Sequence, residues 1–105
     1  MDYTLLNLAV HLSANNNPEY KKQVINTSIS LMHFFYDNKL LIDIEPFDKN
    51  GVIKADLVVK KSNVTVEGLE LFKKPVQDWF KFIDKGGNPE NVSRLSKALE
   101  KIRSK

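Results

Sequence analysis

Residues 26–43, Asn-Thr-Ser-Ile-Ser-Leu-Met-His-Phe-Phe-Tyr-Asp-Asn-Lys-Leu-Leu-Ile-Asp, decide the fold, because a crowded apolar helix runs here straight into a strand pattern. Val24, Ser28, Leu31, Met32 and Phe35 fall on one side of a 3.6-residue period, and Ile25, Ile29 and Tyr36 widen that stripe beyond an ordinary surface helix. Such a helix must be covered on more than one side. Asp37-Asn38 is a stop, since Asn tolerates the left-handed conformation that closes a helix, and Leu40, Ile42 and Ile44 then alternate as a strand.

Toward the N-terminus, Asp2 is placed to cap a helix over 3–14, with Leu5, Leu8, Ala9 and Leu12 on its buried face. Asn15-Asn16-Asn17 breaks it. Asn17-Pro18-Glu19 restarts it, because Asn supplies a capping oxygen, Pro at the first helical position loses no hydrogen bond, and Glu sits well at the positive end of the helix dipole. From there to Asp37 the chain is one helix or two. Asn26-Thr27-Ser28, three residues that compete for backbone hydrogen bonds, favour two.

Toward the C-terminus, a strand over 40–44 leads into the Asn50-Gly51 turn, and 52–60 returns as its partner with Ile53, Ala55, Leu57 and Val59 on one face. Lys60-Lys61-Ser62-Asn63 reads as a polar tip or turn. Thr65 caps the next helix, and Gly68 lets its first turn approach another element closely. Leu69, Phe72, Val76, Trp79, Phe80 and Ile83 keep helical spacing through Pro75, which kinks or divides the helix near Lys73-Lys74. Asp84-Lys85-Gly86-Gly87 ends it. Asn88-Pro89-Glu90 then opens a last helix with Val92, Leu95, Leu99 and Ile102 as its narrow apolar stripe.

A chain of 105 residues buries one core. The expected fold is α+β in a single domain, 1–105: a helical core, a small antiparallel β-hairpin or sheet, and a C-terminal helical extension of two helices from about 66 to 105. The last helix packs either on its own domain or on another copy in a homodimer. The 42% hydrophobic and 28% charged fractions are those of a globular protein. No run nears the roughly 20 apolar residues of a membrane span, the opening residues lack signal-peptide features, and cysteine is absent, all of which predicts a cytoplasmic protein without membrane contact. Charge is uneven: residues 1–52 hold four Lys/Arg against six Asp/Glu, net −2, and 53–105 hold twelve against seven, net +5. A basic half is either a solvated surface or a face for an acidic partner or phosphate backbone.

The order of elements resembles a winged-helix domain over residues 4–72. The resemblance rests on Tyr36-Asp37-Asn38-Lys39-Leu40-Leu41-Ile42, placed like the end of the third helix and the following strand. It also rests on Val64-Thr65-Val66-Glu67-Gly68-Leu69-Glu70-Leu71-Phe72, placed like the segment from wing to C-terminal helix.

Little in the chain points to catalysis. His11 and His33 lie on separate helices without cysteine, too few ligands for a zinc site. Asp43, Glu45, Asp48 and Asp56 crowd the hairpin and offer magnesium ligands, yet no Glu-x-Lys follows on an adjoining strand, and turn carboxylates are common. No serine sits in a Gly-x-Ser-x-Gly turn, and Gly86-Gly87 follows a helix, not a strand. The expectation is a protein that is not an enzyme and needs no cofactor or metal.

Two binding roles remain. As a DNA-binding regulator, the chain would read bases with Asn26, Thr27, Ser30 and His33 and follow the backbone with Lys60 and Lys61. Against this, residues 23–38 contain no Lys or Arg to meet phosphate. As a protein-binding domain it would use the surplus of aromatics near the hairpin, Phe34, Phe35, Tyr36 and Phe47, since aromatic anchors are enriched at interface centres. In size, class and want of catalytic residues, and in the 64–87 segment ending Trp79-Phe80-x-x-Ile83-Asp84-Lys85-Gly86, the chain is similar to immunity proteins of bacterial contact-dependent growth-inhibition systems. That resemblance implies a toxin domain as partner and neutralisation by occlusion. Phe35, Tyr36 and Phe47 would anchor the contact, with Asp43, Glu45, Asp48, Lys49 and Lys54 at its rim. The net charge of +3 departs from it, because inhibitors of basic nucleases tend to be acidic.

Overall fold

Helix α2 (Pro18–Asp37) is one continuous helix, capped by Asn17, whose side chain accepts from the Glu19 N–H at 2.9 Å. The break favoured at Asn26-Thr27-Ser28 does not occur. Thr27 and Ser28 are buried on the same face as Leu31, Met32 and Phe35, and packing of that face overrides the weak local preference of the two hydroxyl residues. The computed structural model describes residues 2–14 and 16–104. Among these the chain is a small α+β globule of five α-helices and one two-stranded antiparallel sheet.

The N-terminal segment differs from the expected helix. Residues Thr4–Asn7 form β1, which pairs antiparallel with β2 (Val58–Lys60) in the register Leu6↔Val59 and Asn7↔Val58. Only Leu8–Ser13 is helical (α1), capped by Asn7, whose side chain accepts from the Val10 N–H at 3.2 Å. Pairing with the β-branched Val58-Val59 buries Leu6 and decides the outcome. Asp2 caps no helix: its carboxylate accepts from the Ser62 N–H at 3.0 Å and the Ser62 hydroxyl at 2.8 Å. Those two bonds, the backbone one foremost, hold the carboxyl below the usual range.

The long hairpin is reduced to its turn. The Asp48 side chain accepts from the N–H groups of Asn50 and Val52, Gly51 adopts φ +78°, and a Phe47↔Ile53 bridge closes the turn. The flanking segments do not pair further. Asp43 sits at φ +52° and bends one of them, and buried Pro46 has no N–H to give a ladder. Leu41 bridges Val64 instead, and 58–60 turns to β1. The left-handed residue after α2 is Lys39, at φ +59°, while the Asn38 side-chain amide donates to the Phe34 carbonyl at 2.8 Å.

A short 3₁₀ turn (Lys61–Asn63) leads from β2 to α3 (Val66–Lys73), where the Thr65 hydroxyl accepts from the Gly68 N–H at 3.1 Å. Pro75 divides the helix at Lys74, giving α4 (Pro75–Asp84). A Cβ on Gly68 would lie 3.2 Å from the Phe35 ring, 3.2 Å from Val64 Cβ and 3.3 Å from the Leu40 carbonyl oxygen. Gly68→Leu is therefore expected to cost about 1–3 kcal/mol by overpacking. Urea unfolding followed by circular dichroism checks this, and an unchanged midpoint would contradict the close approach of α3 to α2.

Helix α5 (Ser93–Arg103) starts later than the Asn88-Pro89-Glu90 signal predicted. Asn88 closes only a turn, accepting from the Glu90 N–H, and Asn91 then accepts from the Ser93 N–H and hydroxyl. The Asn91 carbonyl is meanwhile engaged by the Trp79 indole N–H at 2.9 Å. Helix α5 packs on α3 and α4 of its own chain, burying Leu95 and Leu99. Arg103 locks its end, donating to the Asn38 carbonyl at 2.8 Å and to Glu67 at 3.1 Å. The core joins Leu31, Met32 and Phe35 of α2 to Leu71, Val76, Trp79 and Leu95.

Candidate functional site

At the C-terminal end of α2 the predicted contact residues part ways. Phe35 has no exposed surface and meets Phe72 edge-on at 5.2 Å between ring centres. It is a core residue and offers nothing to a partner, which corrects its assignment as an anchor. Phe34 is buried as well. Tyr36, one step round the helix, is 66% exposed. Phe47 is half-buried, its ring stacked on His33 with centres 4.4 Å apart and planes at 25°. This stack lays the following loop against α2, and it gives His33 a role that no spacing in the sequence signals.

Residues 38–57 form no helix and no strand beyond isolated bridges, yet Leu40, Pro46, Ile53 and Leu57 are buried and pin the segment down. Irregular segments longer than roughly 12–15 residues are uncommon in compact domains and are often functional. Asp43, Glu45, Lys49 and Lys54 are exposed on it, as are Ile42 and Val52. Asp48 is committed to the turn. Among the described residues, Asp43 and Glu45 form no ion pair: the pairs present lie on the α3–α5 side.

The proposed base-reading row does not form one outward face. Asn26 and His33 are exposed, Ser30 is half-buried, and Thr27 is 9% exposed. Lys60 and Lys61 are exposed, but they do not cap a hairpin. Lys60 ends β2, Lys61 begins the 3₁₀ turn with its ammonium 5.8 Å from the centre of the Tyr3 ring, and the hairpin tip lies at 48–51 instead.

The basic half has a location that composition alone does not give. A groove of about 780 Å³ lies between α5 on one side and the α3–α4 junction on the other. Arg94, Lys97 and Lys101 line the α5 wall, Lys73 and Lys74 the opposite wall, with Phe82 and Ile102 between. Lys73 pairs with Glu70 at 2.9 Å and Lys74 with Asp78 at 2.8 Å. The hydrogen bond from Lys74, with the charges of Lys81 and Arg94 adding, holds the Asp78 carboxyl below its usual range. The Arg94 guanidinium lies 4.6 Å from the centre of the Phe82 ring. The 94, 97, 101 spacing, one helix face, was the signal present in the sequence.

A smaller cavity of about 180 Å³ lies between α2 and α4, with His11, Thr27, Ser28 and Asp84 in its lining. Gln23 donates to Asp84 at 3.3 Å, and among the described residues His11 bonds to neither Ser28 nor Asp84, so no base is coupled to a hydroxyl there. Among the described residues no three of His, Cys, Asp or Glu gather where they could hold a metal ion. Among the described residues no helix is long and apolar enough to cross a membrane. No protein-family model matches the chain, and no curated protein or solved structure matches it either.

Proposed function

We propose that this chain is a non-enzymatic protein-binding domain that acts by occlusion, as a bacterial immunity protein covers its cognate toxin domain in the cytoplasm. The observation that carries this reading is the pinned irregular segment 38–57 beside exposed Tyr36, with Asp43 and Glu45 unpaired among the described residues. An exposed aromatic beside a segment that carries charges is what an interface centre and its border require. In this reading α2, the 48–51 turn, β2 and α3 are a reduced winged helix whose wing has become the contact loop.

A photo-crosslinking residue at position 36 is expected to trap one protein partner in the source cell. With that partner purified, Tyr36→Ala is expected to raise Kd at least tenfold, while Val10→Ala, on the exposed face of α1, leaves it unchanged. Equal affinities for wild type and Tyr36→Ala would remove this face from the interface. The DNA reading keeps one favourable observation, the exposed Lys60-Lys61 pair with Asn26 and His33. It requires a duplex-shift affinity that falls steeply with salt and is lost in the Lys60→Glu, Lys61→Glu variant.

A further inference from the structure

We infer that the groove between α5 and the α3–α4 junction is a second docking site, and that its occupant is an acidic, amphipathic helix of a protein partner. Three observations lead there. First, the charge is one-sided: Lys73 and Lys74 are already neutralised by Glu70 and Asp78, whereas Arg94, Lys97 and Lys101 have no carboxylate within ion-pair distance among the described residues. Second, those three cations follow i, i+3, i+7 along α5, steps of about 4.5 and 6 Å, which match carboxylates spaced three or four residues apart on a facing helix. Third, the groove has an apolar floor of Pro75, Phe82, Ala98 and Ile102, each only part-buried.

A phosphate backbone would satisfy the cations and leave that floor facing a polar chain. A helix with carboxylates along one edge and aliphatic side chains beneath covers both. Size agrees, because a helix about 10 Å across would fill the 780 Å³ with about two turns. Tyr36 does not line the groove, so failure of either assignment leaves the other standing.

The test uses the full chain and a fluorescein-labelled peptide of Glu, Leu and Ala patterned as an amphipathic helix, followed by anisotropy. The expected result is saturable binding whose Kd rises at least tenfold in Lys97→Glu, Lys101→Glu and about threefold in Lys97→Gln, Lys101→Gln. Lys21→Glu, Lys22→Glu should leave it unchanged. All exchanged residues are exposed, except that Lys21 is half-buried, and circular dichroism confirms that each variant is folded. Replacing Leu by Ser in the peptide is expected to weaken binding at least as much as the charge reversal. Equal binding of the Leu→Ser peptide would overturn the proposal, leaving general polyanion attraction. Tighter binding of oligo-dT than of the peptide would assign the groove to nucleic acid instead. Self-association abolished by the same reversal would assign it to a second copy of this chain.

Discussion

Trp79→Ala is expected to lower the unfolding free energy by about 3–5 kcal/mol, close to the whole stability of a small domain. Trp79 is completely buried on α4, and its indole N–H donates to the Asn91 carbonyl at 2.9 Å. The side chain therefore does two things at once: it fills part of the core, and it fixes the irregular link in which Asn91 accepts from Ser93, the first residue of α5. Trp79→Phe separates them. Most of the volume stays and the hydrogen bond goes, so the expected cost is only about 1–2 kcal/mol. Urea unfolding by far-ultraviolet circular dichroism measures both variants, since this is the chain's one tryptophan and its fluorescence disappears with it. A loss below about 1.5 kcal/mol for the alanine variant would contradict the placement of Trp79 in the core.

Phe35→Ala is expected to cost a similar 3–5 kcal/mol, and to leave partner affinity unchanged per folded molecule. Phe35 has no surface to lose, and its ring packs on Phe72 and limits the space beside Gly68. Its neighbour should behave in the opposite way: Tyr36→Ala removes a mostly exposed ring and should alter stability by no more than about 0.5 kcal/mol. Unfolding and binding measured on both variants give a crossed result if α2 has a core face and a contact face side by side. Loss of affinity in folded Phe35→Ala without loss of stability would invert the assignment.

Local chemistry was legible wherever one short stretch settles the outcome. Thr65 caps α3, Pro75 divides α3 from α4, Asn50-Gly51 marks the turn, and Leu95 and Leu99 face inward, all for reasons contained within a few residues. Where the deciding partner is distant, the reading failed. Leu5, Leu8 and Leu12 satisfy a helical period, but the β pairing that claims the first part of that segment lies at Val58–Lys60. The left-handed backbone of Asp43, which sends 40–44 away from its expected partner, is one that Asp tolerates but does not require, so residue type leaves it open. In α2 the hydroxyls of Thr27 and Ser28 are local competitors for backbone bonds, yet burial makes them part of a packed face. The same limit governs the sites. The basic half was visible as a count of charges, but which lysines are neutralised and which line a groove depends on how α3, α4 and α5 meet.

The pairing of β1 with β2 has a consequence for synthesis on the ribosome. Residues 4–7 are synthesised before their hydrogen-bonding partners at 58–60. At about 5–20 residues per second the opening strand waits roughly 3–10 s before its counterpart exists. During that interval Leu6 and Leu8, both destined for the interior, have only α1 and the growing α2 to shelter them. Translation speed between the codons for 8 and 58 thus sets how long these apolar side chains stay open to chaperones and to neighbouring nascent chains.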